Sequence, residues 1–362
     1  MENKGLVFIP DISGFSRFVS ETEIEHSRLI IQELLEILIN ANQLGLEVSE
    51  IEGDAILFYK FGDPPDLKAL YTQVEHMFCS FHRNLIAYEL TKYCQCKACL
   101  SAINLSLKVI THYGEFTGYT VRNFSKLIGK DIIVAHQLLK NDIADHEYWL
   151  ITKSLVKDSK PLNLADWMQW NIGAKQTETG DVSYHYAQLG HLKHELTQVE
   201  AQPPELAKKV RAVSVSEEYD NDMITLFHAC GNFNYRARWQ EGVEKVEELS
   251  HYLPRVGMRC RSTHTDGKVI TYVSSYYKYQ PERIEFSETD EKDKSVTYFT
   301  LEKLAPLKTK LTIDFYLNKT LPVELVFRLM KKKKIEEAFY KSLQTLKVFA
   351  KGLYVPSAKD FL

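Results

Sequence analysis

The chain has 362 residues, which at about 150 residues per domain suits two domains, each long enough to bury a core of its own. Its 45 Lys and Arg against 48 Asp and Glu leave a net charge of -3, which excludes the basic excess of a dedicated nucleic-acid binder, and 44% hydrophobic residues are too many for a disordered chain. No apolar run approaches the roughly 18 residues of a transmembrane segment and Met1–Lys4 does not open a secretory leader, so a cytoplasmic protein with reduced cysteines is expected.

Leu6–Ile9 is a short apolar run ended by Pro10-Asp11, the pattern of a buried strand that runs into a loop. Ser20 and Glu23 have the spacing of a capping box, and Ile24, Ile31, Leu34, Leu35 and Leu38 then recur with helical period until Gly45. Leu46–Glu50 and Ala55–Tyr59 read as a hairpin with Asp54 at its tip. Pro64-Pro65-Asp66 opens a second helix with Leu67, Leu70, Val74, Met77, Phe78, Phe81 and Leu85 on one face. Leu105–Ile110 alternates as a strand, Glu115–Val121 is expected to pair back on it across Tyr113-Gly114, and Ile132–Leu139 is helical. The order β-α-β-β-α-β predicts an α+β fold of ferredoxin-like or palm type, two helices packing on one face of an antiparallel sheet. Residues 156 to 190 form its rim, with a closing strand Ser183–Leu189.

The breaker-rich Ala201-Gln202-Pro203-Pro204-Glu205 marks a linker, placing one domain over residues 1–195, the linker over 196–207 and a second domain over 208–355. From Val213–Glu217 onward the second part is a strand series, near Arg259 and over Val269–Tyr279, Arg283–Ser287, Val296–Leu301 and Leu311–Leu317. It closes with a long helix whose buried stripe is Ile335, Phe339, Leu343, Leu346 and Ala350, so a curved antiparallel sheet gripping one helix is expected.

Two residues suggest chemistry. Asp11 ends the first strand and Asp54 tips the hairpin, and in this strand order the two are neighbours. Two carboxylates a few ångströms apart repel unless a hard cation lies between them, and Mg²⁺ favours one or two carboxylates plus substrate phosphates. The turn Ser13-Gly14-Phe15-Ser16 has backbone N–H groups suited to an anionic triphosphate.

Phe8-Ile9-Pro10-Asp11-Ile12-Ser13-Gly14-Phe15-Ser16 and Glu50-Ile51-Glu52-Gly53-Asp54-Ala55 resemble the two metal-aspartate motifs of class III adenylate and guanylate cyclases. His112-Tyr113-Gly114-Glu115 and Ile128–Ala135 resemble that family's strand turn and ribose-binding helix, and the resemblance covers about residues 5–190. It is similar too to a bacterial family of cyclase-like proteins that carry a CxCxxC cluster. The resemblance implies that Asp11, Asp54 and the Ile12 carbonyl hold Mg²⁺ or Mn²⁺, that Ser13, Gly14 and Phe15 cradle the phosphates of a purine nucleotide, and that Glu50 selects the purine, as in guanylate cyclases. It also implies a head-to-tail homodimer. The positions at which the family has an Asn for the ribose and an Arg for the transition state are Ile133 and Gln137 here, and loss of such an Arg costs roughly 10³-fold or more in rate.

Cys94, Cys96 and Cys99 offer three thiols in six residues, a spacing that can wrap a tetrahedral Zn²⁺; reduced half-buried thiols or a redox pair are the other readings. A fourth ligand is not local, and Cys79, His82 and His112 are the candidates. In the second part, Trp239–Val246, Val256-Gly257, the strand series and the final helix resemble START-like (SRPBCC, helix-grip) domains over about residues 208–352. That resemblance implies a cavity for a lipid or small apolar ligand, with Trp239, Tyr272, Tyr276, Tyr298 and Phe315 on elements that line it. The reading that accommodates Asp11 and Asp54 together with Ile133 and Gln137 is a sensor or regulatory protein: a degenerate cyclase-like domain that binds nucleotide or metal, joined to a ligand-binding domain. The alternatives are an active nucleotidyl cyclase using GTP or ATP, and a lipid carrier with a dimerisation scaffold.

Overall fold

The computed structural model describes residues 3–92, 94, 96–156, 161, 163–178, 180–196, 206–249, 255–318 and 332–353; the expected linker Ala201–Glu205 lies outside them. The chain divides into two compact units, Met1–Ala87 with Ser101–Gln198, and Tyr88–Leu100 with Val199–Leu362.

In the first unit β1 (Lys4–Ser13) is buried along nearly its whole length, as befits a central strand covered on both faces. The chain continues through α1 (Phe15–Glu21), α2 (Ile24–Asn40), the hairpin β2 (Glu47–Glu52) and β3 (Ala55–Phe61), α3 (Leu67–Thr91) and the short α4 (Lys97–Ser101) to β4 (Ser106–Glu115). A ribbon of β5 (Thr117–Val121) and β6 (Phe124–Ile128) precedes α5 (Lys130–Leu138), β7 (Tyr148–Thr152), α6 (Lys153–Val156), β8 (Asn171–Thr177) and β9 (Gly180–Gln188). The main sheet runs β2-β3-β1-β4-β7-β9-β8, antiparallel except where β4 meets β7 in parallel. Asp66 caps α3, its Oδ1 accepting from the Ala69 N–H at 2.7 Å. The buried Gln73 ties α3 to the end of α2, accepting from Gln43 and Leu44 N–H and donating to the Ala41 carbonyl. Tyr71 of α3 lies 6.3 Å from the ring of Trp149 in β7, whereas Leu150, pointing the other way, packs with Ala135 and Leu138 of α5. Helices therefore cover both faces of the sheet, α5 adding the second layer.

Two expectations fail here. The Ser20/Glu23 capping box does not form: helix starts earlier, at Phe15, after Gly14 turns through φ 89°, and the Ser20 hydroxyl donates to the Arg17 carbonyl inside α1. Glu115–Val121 does not fold back on the strand of Leu105–Ile110, because β4 runs straight through Tyr113-Gly114 and β5 pairs with β6. The reason is contact rather than turn chemistry: a Cβ at Gly114 would lie 2.2 Å from Asp131 Cγ, so the glycine makes room for α5, not for a bend.

The second unit is mostly sheet. β10 (Lys209–Tyr219) is followed by α7 (Met223–Gly231), α8 (Arg236–Trp239), β11 (Val243–Glu248), β12 (Arg259–His264), β13 (Val269–Gln280), β14 (Arg283–Asp290), β15 (Val296–Ala305) and β16 (Lys308–Asn318). These strands form one antiparallel sheet in the order β10-β16-β15-β14-β13-β12-β11, with β11 an edge strand that sequence pattern did not pick out. Helix α9 (Lys332–Lys351) buries Leu343, Leu346 and Ala350 with Tyr219, Phe227 and Phe286, and the Tyr219 hydroxyl donates to the Leu343 carbonyl at 3.1 Å. The Asp222 side chain caps α7. Tyr88–Leu100 joins this unit through the Val256 N–H to Thr91 carbonyl bond, the Lys92–Arg255 bridge and the Arg255 guanidinium 5.7 Å over the Tyr88 ring.

The Gly114 contact gives a stability prediction. Gly114→Ala should lose about 1–3 kcal/mol, since neither Asp131 nor the β4 backbone has room to yield, and thermal unfolding measures it. A variant as stable as the parent would show that α5 can shift away from β4.

Candidate functional site

The antiparallel register of β1 sets Asp11 opposite Ala55 on one side and Lys108 on the other. The Ile12 N–H donates to the Asp54 carbonyl at 3.0 Å, which draws the hairpin tip to the end of β1. Gly53 takes a left-handed φ of 61° at that tip, under the Phe15 ring. The two carboxylates accordingly share one environment. Burial and then the charge of Asp11 push Asp54 up to about 6, and burial lifts Asp11 above the ordinary Asp value even though Lys108 pulls the other way.

Lys108 is the residue that sequence reasoning missed. Its ammonium lies 3.1 Å from Asp11 Oδ1 and donates to the Leu139 carbonyl at the end of α5 at 3.2 Å, both side chains being nearly enclosed. A charged residue between the apolar Leu107 and Val109 of a central strand was the available signal. The turn after Asp11 is partly engaged too, the Ser13 hydroxyl donating to the His146 carbonyl at 3.0 Å. Ser13 and Gly14 also border a polar pocket of about 650 Å³ with His146, Glu147 and Trp167.

Glu50, the expected purine-selecting residue, is held by Lys126 at 2.6 Å and faces His136 Nε2 at 3.7 Å. On α5, Ile133 is 47% exposed and the Gln137 side chain accepts from the Glu178 N–H, so neither supplies charge. His112 is spent on structure: its ring bonds Thr152 and, at 2.9 Å, Asp131 Oδ1. His82 is buried against Phe78 and Phe81.

The three cysteines of the cluster come together, with Cys94, Cys96 and Cys99 Sγ within 4.8 Å of one another, Cys94 and Cys99 buried and Cys96 half-buried. The Cys96 N–H donates to Cys94 Sγ at 3.4 Å. The two neighbouring thiols and then burial raise Cys99 far above a free thiol, so a bound cation is what would make these three groups thiolates. The arrangement can hold a metal ion.

In the second unit a cavity of about 690 Å³ lies between sheet and α9. Trp239, Tyr272 and Phe315 are on its wall; Tyr276 and Tyr298 are not. Thr297 and Phe299 face the cavity, so Tyr298 points to the other side, and a bulge between Ser274 and Tyr276 turns Tyr276 there as well, where the two rings stack at 6.0 Å. The bulge is not visible in the residue pattern.

Residues 31–148 match a family model described as a protein of unknown function, DUF2652. A Mycobacterium tuberculosis protein described as uncharacterized is 27% identical over 168 residues, 43% of this chain and 72% of that protein. Similar solved structures include the guanylate cyclase domain of RhGC from Catenaria anguillulae in complex with GTP, 16% identical with a TM-score of 0.36 over 52% of this chain and 97% of that one. The adenylyl cyclase CyaB from P. aeruginosa is 16% identical with a TM-score of 0.35 over 51% and 93%.

The Asp pair has a pH signature. Because Asp54 titrates near 6 in the fold and near 3.8 as an ordinary Asp, the folded chain holds that proton more tightly. Ionising Asp54 therefore weakens the fold progressively from about pH 4 to 6 and by a constant amount above about pH 7. Asp54→Asn should match the parent in thermal midpoint near pH 4 and exceed it by about 2–4 °C at pH 7.5 in metal-free buffer. A difference that is flat with pH would contradict the crowding of the two carboxylates.

Proposed function

We propose that the chain is a sensor or regulatory protein, in which a cyclase-like unit holds a purine nucleotide or a divalent metal without cyclising anything and a START-like unit carries a lipid or small apolar ligand. The observation that carries this reading is the Lys108 ammonium on Asp11. A cyclase needs Asp11 and Asp54 free for two divalent ions that neutralise developing charge; here a side chain already supplies one positive charge to that carboxylate. Ile133 and Gln137 give no replacement for the missing Asn and Arg. If Mg²⁺ or Mn²⁺ binds, Asp11, Asp54 and the Ile12 carbonyl hold it, Lys108 gives way, and the ion's chemistry is to screen the phosphates of the nucleotide.

The convergence of Asp11 and Asp54 supports the second reading, an active nucleotidyl cyclase. Titration calorimetry of GTP and ATP with Mn²⁺ or Mg²⁺, with product analysis of the same mixtures, separates the two. The expected result is metal-dependent binding, lost in Asp11→Ala/Asp54→Ala, with no cyclic product. Cyclic product would make the chain an enzyme, and no binding at millimolar nucleotide would leave a ligand carrier with a scaffold. Lys108→Met adds an independent check: removing one partner of a nearly enclosed pair should cost about 3 kcal/mol, and Mn²⁺ should restore more thermal stability to the variant than it adds to the parent.

The cysteine cluster is read as a structural Zn²⁺ site on Cys94, Cys96 and Cys99. Metal analysis of the purified chain should find about one equivalent of zinc, lost in Cys94→Ser and in Cys99→Ser. Metal-free protein of unchanged stability would return the three residues to reduced thiols. A head-to-tail homodimer belongs to the same cyclase-like reading, and sedimentation at high concentration tests it.

A further inference from the structure

Three buried nitrogens among the residues that line the cavity of the second unit have no hydrogen-bond partner among the described residues: the imidazole Nε2 of His264 and two groups that can only donate. Trp239 is 2% and Arg236 3% exposed, both line the cavity, and among the described residues Trp239 Nε1 and Arg236 Nε have no hydrogen-bond partner. Both groups are donors only, so what completes them is an acceptor brought by the occupant. The terminal nitrogens are engaged: Nη1 bonds Glu288 Oε2 at 2.8 Å and Gln240 Oε1 at 3.1 Å, and Nη2 bonds Glu288 Oε1. The Phe233, Trp239 and Phe299 rings lie 5.1, 5.4 and 6.0 Å from the guanidinium carbon.

Charge decides what kind of acceptor fits. Glu288 already neutralises Arg236, and among the described residues the remaining charges on the cavity wall are Lys268 against Glu241, Asp290 and Asp293. An anionic head would be an uncompensated negative charge in a wall that is itself negative, a cationic head would face two N–H donors, and a neutral oxygen meets neither objection. Phe315, Leu317, Ile335 and Phe339 add apolar lining, and about 690 Å³ is the size of a small-molecule site.

We propose that this cavity takes a neutral amphipathic molecule whose carbonyl or hydroxyl oxygen accepts from Trp239 Nε1 and Arg236 Nε while its hydrocarbon body lies against α9. The proposal rests on the reading of the second unit as a ligand carrier and adds the polarity and charge of what it carries.

The test is a set of ten-carbon probes, 2-decanone, decane, decanoate and decylammonium, titrated into the full-length ¹⁵N-labelled chain while the indole N–H signals are followed by NMR. The Trp239 signal is the one absent from Trp239→Phe. The expected result is that 2-decanone binds about tenfold more tightly than decane, decanoate or decylammonium and shifts the Trp239 signal, and that Trp239→Phe loses this tenfold preference over decane. Ala338→Phe, which fills the cavity from α9, should abolish binding of every probe, and it serves together with the parent's probe ranking if Trp239→Phe does not fold. Decanoate or decylammonium binding best, or decane binding as well as 2-decanone, overturns the neutral acceptor and leaves the carrier reading standing. Binding of none of the probes overturns both.

Discussion

A carboxylate buried at the end of a central strand needs a cation beside it to stay ionised, and in the first unit that cation is part of the chain. The register that sets Asp11 opposite Lys108 puts both side chains on one face, and the same ammonium reaches the Leu139 carbonyl, where the end of α5 presents its negative pole. One lysine thus ties β1, β4 and α5 together. The arrangement also explains why Asp54 is displaced upward: it is buried beside Asp11, while the Lys108 ammonium is committed to its neighbour.

The second unit solves a similar problem with different geometry. Glu288 on β14 is 3% exposed and is matched by the planar fork of Arg236, whose two terminal nitrogens meet the two carboxylate oxygens. A lysine in that place would be consumed by the pair. Arginine has a further N–H beyond the fork, and with Trp239 beside it the surplus donors belong to residues that line the cavity. The buried pair therefore orders α8 against the sheet and leaves polar capacity for an occupant.

Most of the elements could be read from the residues. The helical period of Ile31, Leu34 and Leu38, the Pro64-Pro65-Asp66 start and the strand-forming run Val269–Tyr279 are local signals, and the structure has α2, α3 and β13 at those places. Misreadings arose where one residue type serves two purposes. Gly114 looks like a turn and is a close-approach glycine inside β4, and Ser20 looks like a cap although Gly14 had already begun the helix. Tyr276 sits on the far side of its strand because one extra residue in a bulge inverts the alternation.

The sequence by itself determined α2, α3 and the β2–β3 hairpin, the placement of Asp11 and Asp54 at the ends of neighbouring strands and the closeness of Cys94, Cys96 and Cys99, because each follows from period, turn chemistry or short spacing along the chain. Only the tertiary structure decided that Lys108 holds Asp11, that Glu50 is occupied by Lys126, and that Arg236 and Trp239 keep donors free beside Glu288. Those pairings join residues 97, 76 and 52 positions apart, as Asp11 to Lys108, Glu50 to Lys126 and Arg236 to Glu288. Strand register and the direction of individual side chains bring them together, and neither is encoded in a local pattern.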